Sequence, residues 1–278
     1  MPNLDVSVII PFKDKAAMTM DAVRTLVQYG PGVKEILLIS NNSNAEELGK
    51  VRAGAKEYSN AKVLVYDHPF NYQKINNWAA KQATAKVLFF LNNDTELKPA
   101  SAQLLQNMYT KALEPEVGMV GCLLLYGDGQ TIQHAGVFLL PKGQADHMYA
   151  GRRLSQVTGD ARNKDLFPYD VETDMPMTAV TGAAQMVEAK KFWEINGFDE
   201  RFIICGGDVD LCIRLNHANY QTWFVSGGYI IHKESQSRAF KPIPYNDFYW
   251  SYLSYMQGFD INTGDPYLPL LTNKPEYR

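Results

Sequence analysis

The sequence predicts an α/β fold: a mostly parallel central sheet with flanking helices. Three observations predict it. Short apolar runs recur, and several stop at a cluster of Asn, Ser or Asp, as strands buried on both faces do. Segments with a helical apolar stripe alternate with those runs over the first hundred residues. The connections are short, so strand–helix–strand units close as parallel pairs with right-handed crossovers.

Taken in order, Val6-Ser7-Val8-Ile9-Ile10 is a first strand ended by Pro11. Residues 16–29 read as a helix, with Ala22, Val23, Leu26 and Val27 on one stripe, broken by Gly30-Pro31-Gly32. Residues 35–39 are a second strand, running into Ser40-Asn41-Asn42-Ser43. A helix over 46–58 and a strand over 61–66 follow. The next helix, 72–83, sets Ile75, Trp78 and Ala79 on one face. Residues 87–91 form a fourth strand that stops at Asn92-Asn93-Asp94.

Past a helix carrying Leu104, Leu105, Met108 and Tyr109, the pattern changes. Residues 117–125 are a strand, Asp128-Gly129 a tight turn, and 131–140 extended chain. Residues 141–178 are rich in Gly, Asp, Arg and Pro with little period, and are expected as a long mobile loop region. Residues 179–187 read as a strand, and 189–195 as a short helix closed by Asn196-Gly197. Val209, Cys212 and Ile213 share a helical face, and Asp210 and Arg214, four apart, can pair. Residues 222–231 form a strand ending at His232, and 247–256 an aromatic helix before a Pro-rich end.

Four polar clusters thus fall at strand ends or helix starts: 40–43, 92–94, Asp208 with Asp210, and His232. A parallel sheet brings its carboxyl ends to one edge, where ligands bind. Asn92-Asn93-Asp94 is either an ordinary polar turn or an edge whose carboxylate holds a hard divalent cation and, through it, phosphate. Asp208 is either a helix N-cap or a general base taking a proton from an attacking hydroxyl, and the two roles are compatible. His232 is either a satisfied structural histidine or a ligand to metal or phosphate.

Composition removes several classes. A net charge of −3 gives no sign of a nucleic-acid-binding surface. Three scattered cysteines fit neither a disulfide framework nor a zinc site, and a reducing compartment suits them. Neither GxGxxG nor GxxxxGK[ST] is present, so dinucleotide and Walker-type phosphate sites have no support. The N-terminus has no signal-peptide pattern, and no apolar run reaches the roughly 18 residues needed to span a bilayer. A cytoplasmic protein is expected, with room for peripheral membrane contact. Sixteen tyrosines and four tryptophans suit sugar stacking, a core or an interface equally.

At this point the motifs resemble a family. Val6-Ser7-Val8-Ile9-Ile10-Pro11 is similar to the first strand of glycosyltransferase family 2. Phe70-Asn71-Tyr72 through Asn76-Asn77 resembles its FNYxxxNN segment, and Leu91-Asn92-Asn93-Asp94-Thr95-Glu96 the NND variant of its metal-binding DxD motif. Leu125-Tyr126 with Ile132-Gln133-His134-Ala135-Gly136 resembles a feature of the branch that holds rhamnosyltransferases and other surface-polysaccharide enzymes. Thr181-Gly182-Ala183 and Gly197-Phe198-Asp199-Glu200 resemble acceptor-side elements, Gly207-Asp208-Val209-Asp210-Leu211 the catalytic EDxDL motif, and His232 with Ser237 the HxxGxS element. The resemblance covers residues 6–238 in family order.

It implies a GT-A fold: a Rossmann-like sheet, a small antiparallel acceptor-side region and the aromatic C-terminal helix. The domain would run from 1 to 238, with a nucleotide-binding half (1–100), an acceptor-side half (101–238) and a helical extension (239–278). It implies inverting transfer of a sugar from a nucleoside-diphosphate sugar to the hydroxyl of a glycan or lipid-linked glycan. Asp208 would be the base. Asp94 and His232 would hold magnesium or manganese. Pro11, Ser40, Asn42, Asn77, Asn92 and Asn93 would contact the donor, and Thr181, Gly182 and Gly207 the acceptor. An enzyme at the inner face of the membrane, as a homo-oligomer or within a larger assembly, fits this picture. Four departures stand out. Ser40 replaces an Asp near the base, Asn92 the first Asp of DxD, Gly207 the Glu before Asp208, and Ser235 the Gly of HxxGxS. Two other classes compete: a nucleotidyltransferase that makes the activated sugar, and a degenerate, non-catalytic sugar-binding module. The first lacks support, because Pro11-Phe12-Lys13-Asp14-Lys15 is not a Gly-rich phosphate loop.

Overall fold

The structure is a computed structural model that describes residues 4–30, 32–159, 164, 169–233 and 243–268. The first half alternates as β1 (Leu4–Phe12), α1 (Ala16–Tyr29), β2 (Val33–Ser40), α2 (Ala45–Ala55), β3 (Ala61–Val65), α3 (Tyr72–Ala80) and β4 (Val87–Leu91). Then come β5 (Thr95–Leu97), α4 (Ser101–Ala112), β6 (Val117–Leu125), β7 (Ile132–His134), β8 (Val137–Leu140), β9 (Gln144–His147), α5 (Leu154–Val157) and β10 (Met175–Met177). The described chain ends with β11 (Ala184–Glu188), α6 (Ala189–Glu194), α7 (Gly207–His217), β12 (Gln221–His232) and α8 (Tyr245–Gly258).

The main sheet runs β10-β12-β6-β11-β4-β1-β2-β3, with β5 paired to β12 and β7 to β6; β8 and β9 form a separate antiparallel pair. Strands β4, β1, β2 and β3 are mutually parallel, with Ile9 opposite both Leu37 and Phe90. The period of two sorts their side chains between two layers. Val6, Val8 and Ile10 pack with Val23 and Leu26 of α1 and with Leu104 and Met108 of α4. Ile9, Leu37, Leu88 and Phe90 pack with Ile75 and Ala79 of α3 and with Leu211 and Cys212 of α7. Phe90 is fully buried, its ring edge-on to Phe198 at 5.0 Å. Removing such a ring costs about 3–5 kcal/mol.

Two devices bring distant segments to the carboxyl edge of the parallel strands. Strand β11 is antiparallel to β4 with Ala184 opposite Leu91, so the residues before it lie beside Asn92, whose N–H donates to the Ala183 carbonyl at 2.9 Å. Strand β12 runs parallel to β6 but changes register between Val225 and Tyr229. Gly227 (φ 93°) makes that step, and a Cβ on Gly228 would stand 2.6 Å from the Ala100 carbonyl oxygen. Beyond it, β12 pairs with β5, setting His232 opposite Thr95, and Lys233 N–H donates to the Asp94 carbonyl.

Several expectations change. Strand β1 passes through Pro11, tolerated because β4 pairs with β1 only as far as Ile9. Val27 is 46% exposed, outside the buried stripe of α1. Residues 179–183 are not strand; the ladder starts at Ala184. The region 141–178 holds β9, α5 and β10, and Met148, Val157, Val171 and Met177 join a third apolar cluster with Leu125, Phe138 and Ile231. Those residues are far apart in the chain, so no local period announces them. Ser235 and Ser237 lie outside the described residues. No helix among the described residues is long and apolar enough to cross a membrane.

Candidate active site

Strand β4 is apolar and fully buried throughout, and its end presents Asn92, Asn93 and Asp94 at the sheet edge. Asp94 is buried, and its Oδ1 lies 3.0 Å from Nε2 of His232. Asn92 Nδ2 stands 3.2 Å from the same Nε2, and Gln133 Oε1 lies 2.6 Å from Nδ1 on the other side of the ring. A carboxylate beside an imidazole nitrogen suits a cation that takes mixed N/O ligands, such as manganese, while magnesium would draw on the carboxylate and outside oxygens. Among the described residues no group of three or more His, Cys, Asp or Glu gathers into a metal site. Asp94 and His232 are the two described side chains placed to hold such an ion at this edge.

The second carboxylate is Asp208. It does not cap its helix: Gly206 (φ 83°) is the N-cap of α7, and Asp208 lies inside the first turn. A Cβ at Gly206 would stand 2.4 Å from Ser251 Oγ, so glycine is required there on both counts. Asp208 Oδ2 accepts the N–H of Gly182 at 2.7 Å, and Oδ1 accepts the N–H of Val209 at 3.0 Å. Gly182 belongs to the 181–183 turn, where Thr181 N–H reaches Nε2 of His134 at 3.4 Å. Burial, reinforced by the nearby His147 and His232, pushes His134 well below the ordinary histidine range, so it stays a neutral acceptor. Gly207 leaves open a volume occupied by Gln73, whose Cδ would be 2.5 Å from a Cβ at 207.

Tyr72 joins the two ends. Its hydroxyl lies 3.0 Å from the Gly182 carbonyl and 3.2 Å from Asn92 Oδ1. Polar contacts therefore run from His232 through Asn92, Tyr72 and Gly182 to Asp208. Helix α8 holds the segment that leads into Asp208. The buried Asp247 carboxylate accepts three successive N–H groups, from Ile203, Ile204 and Cys205, at 2.7, 2.8 and 2.9 Å. Ser254 donates to Asp210, which also pairs with Arg214 at 2.7 Å as the spacing predicted. Burial and then the charge of Asp208 push the Tyr255 phenol up.

The donor-side expectations divide. Pro11 and Ser40 close neighbouring strands at the edge, opposite Ile39 and Phe12 respectively. Ser40 Oγ is buried without a protein partner among the described residues. Asn42 sits in the left-handed region (φ 55°) and donates to the His68 carbonyl. Asp14 and Lys15, with φ of 53° and 52°, strain the turn after β1 at the same edge. Asn93 is turned to Thr19 Oγ1 at 3.0 Å. Asn77, expected at the nucleotide, is turned to the 198–200 segment. Its carboxamide accepts from Phe198 N–H and donates to the Phe198 carbonyl and to Glu200, fastening α3 to the 198–200 turn. Sequence reasoning gave no role to Tyr72, Gln133 or Asp247. The first two lay inside quoted motifs; Asp247 had no local signal.

A family model described as glycosyl transferase family 2 matches residues 7–150, just over half of the chain. The chain is 38% identical over 269 residues to the O-antigen biosynthesis protein RfbC of Myxococcus xanthus, covering 94% of this chain and 20% of that protein. It is 28% identical over 250 residues to protein y4gI of Sinorhizobium fredii, covering 25% of it. The chain thus spans a fifth to a quarter of the length of these relatives. Among solved structures, GalNAc-T7 with UDP, GalNAc and Mn2+ is similar with a TM-score of 0.64 at 16% identity, over 82% of this chain and 44% of that one. The mannosyltransferase PcManGT of Pyrobaculum calidifontis, in complex with GDP-Man and Mn2+, is similar with a TM-score of 0.60 at 11% identity, over 92% of this chain and 74% of that one. These likenesses show the fold, a mixed α/β sheet of GT-A type.

Proposed function

The chain belongs to glycosyl transferase family 2, and from that premise we propose that it transfers a sugar, with inversion, from a nucleoside-diphosphate sugar to an acceptor hydroxyl. The observation that carries the reading is the run of contacts linking the Asp94–His232 pair to Asp208 through Asn92, Tyr72 and Gly182. These contacts support the reading by tying the edge that would hold a cation to the candidate base through successive polar contacts.

In this reading the Asp208 carboxylate takes the proton of the acceptor hydroxyl as that oxygen attacks the anomeric carbon. The bond from that carbon to the diphosphate oxygen breaks, and the leaving diphosphate departs on the opposite face. The Gly182 and Val209 N–H groups hold the carboxylate in one orientation, so it need not reorganise as the reaction proceeds. Asp94 and His232 would hold manganese or magnesium, which would supply charge compensation for the leaving diphosphate. Pro11, Ser40 and Asn42 line the donor edge, and Thr181, Gly182 and Gly207 face the acceptor.

The resemblance to RfbC favours a glycan or lipid-linked glycan of a bacterial surface polysaccharide as acceptor. The reaction would then take place in the cytoplasm, at the inner face of the membrane. The testing experiment is a thermal-shift screen with UDP, GDP and dTDP, each with and without manganese, followed by donor turnover with the best match. A manganese-dependent rise in melting temperature with one nucleotide, and release of that nucleotide from its sugar donor, are expected. Equal shifts with and without manganese for all three would overturn the metal assignment. Binding without turnover on any donor would favour the non-catalytic module. Formation of a nucleotide sugar from sugar phosphate and nucleoside triphosphate would favour the nucleotidyltransferase.

A further inference from the structure

Gly207 and Gln73 fit each other. Gly207 is buried in the first turn of α7, next to Asp208, and its backbone is helical, so no left-handed angle calls for glycine there. Space calls for it. A Cβ at 207 would stand 2.5 Å from Cδ and from Nε2 of Gln73, and 2.9 Å from Oε1. Each is well inside the roughly 3.5–4.0 Å of an ordinary contact. Gln73 is itself only 1% exposed. Its Oε1 is buried with no hydrogen-bond partner among the described residues. That oxygen is seated by shape, and the side chain fills the volume that a side chain at 207 would claim.

The start of α3 grips the surroundings of Asp208 from other sides as well. Asn71, the N-cap of α3, donates from Nδ2 to the Glu200 carbonyl at 3.0 Å. Tyr72 N–H donates to the Ile203 carbonyl at 2.8 Å, and its hydroxyl lies 3.0 Å from the Gly182 carbonyl. Gly182 N–H in turn donates to Asp208 Oδ2. Asn71 and Tyr72 thus hold the flanks of the base by hydrogen bonds, and Gln73 packs directly on the residue before it. We propose that Gln73 is a positioning residue for Asp208: seated against Gly207, its side chain fixes the separation between α3 and the first turn of α7, and with it the place of the carboxylate. The purpose rests on the reading of Asp208 as the base; the fit does not. On this account the glycine before Asp208, where the family motif has Glu, is the counterpart of Gln73 and not the mark of a lost site.

The test is a swap in the full chain. Gln73→Ala removes as many heavy atoms as Gly207→Asn adds. Each single variant is expected to lower kcat about 10- to 100-fold with donor KM unchanged. The double variant is expected to recover most of kcat, a return that a general loss of stability would not give. Gln73→Met keeps length and bulk and is expected to stay near wild-type kcat. Circular dichroism confirms that each variant folds. Independently of turnover, NMR of the backbone-assigned chain reads the Gly182 and Val209 amide protons, which report the two hydrogen bonds to Asp208. Both are expected to shift in Gln73→Ala and to return in the double variant. Wild-type kcat with unshifted amides in Gln73→Ala, or a folded double variant no better than Gln73→Ala, overturns the inference. A loss of kcat in Gln73→Met overturns the seating by shape. If Gly207→Asn alone does not fold, Gln73→Ala and the double variant still decide. A wild type that turns over no donor overturns the reading of Asp208 as the base, while the amide shifts still decide whether Gln73 sets its position.

Discussion

The two ends of the site hold their carboxylates differently. Asp208 is satisfied by backbone: one oxygen takes the Gly182 N–H, the other the Val209 N–H, and α8 fixes the preceding turn through Asp247. Asp94 Oδ1 lies 3.0 Å from His232 Nε2, and the other ring nitrogen meets Gln133. One end is complete within the protein, and in the proposed reading the other would be completed by a cation. Backbone donors suit a group that must stay put through a reaction. In the proposed reading, a side-chain pair of carboxylate and imidazole would suit a site that fills with the donor's diphosphate and empties again. In that reading Asn92, a neutral amide where a second carboxylate would strengthen the site, would leave the metal held firmly only when the diphosphate is present.

Breaking the base end has the largest expected effect. Asp208→Asn keeps the shape but removes the proton acceptor, and turnover is expected to fall by about 10²–10⁴-fold while nucleotide binding, measured by thermal shift, persists. Full turnover in that variant would remove Asp208 from the chemistry. Asp94→Ala breaks the other end. Stabilisation by UDP or GDP with manganese, about 2.7 kcal/mol at a free ligand concentration one hundred times Kd in the wild type, is expected to lose its manganese-dependent part. Asp247→Ala sharpens the contrast by leaving both carboxylates in place. Three N–H groups lose their acceptor, the 203–205 segment loosens, and kcat is expected to drop about 10- to 100-fold with donor KM nearly unchanged. A matching rise in donor KM would show that α8 supports the whole edge rather than the base.

The smallest effect on activity is expected far from the edge. Glu35 is buried; burial raises its pKa, but donors from Ser7, Thr84 and Lys62 outweigh it and hold the carboxyl down to about 2, from 4.5. Such a group stabilises the fold above its unfolded value, and that contribution is lost as pH falls from about 4.5 towards 2. Glu35→Gln is expected to leave kcat unchanged at neutral pH and to cost about 3 kcal/mol of stability there. The two melting curves should converge in acid. A constant separation down to pH 2 would assign the loss to packing instead of charge.

Much of the fold was legible because it is local. The alternation of buried β1, β2 and β4 with the stripes of α1 and α3 is written in residues a few positions apart, and the observed bounds follow it closely. The Asp210–Arg214 pair was legible for the same reason. The ordered part of 141–178 was not, because Met148, Val157 and Val171 acquire partners only from β6, β8 and β12. Asn77 shows the opposite limit. It stands in a motif, but a side chain's direction is set by what packs beside it, and here that is the 198–200 turn.

By itself, then, the sequence determined the strand–helix order of the first half, the polar strand ends and the candidates Asp94, Asp208 and His232. Each is a statement about neighbours in the chain. Only the tertiary structure decided that Gln133 meets His232, that Tyr72 bridges Asn92 and Gly182, and that Asp247 braces the turn before Asp208. Those contacts join residues about 20 to 110 positions apart. They depend on strand order, on the register step at Gly227 and on side-chain direction, which no local pattern encodes.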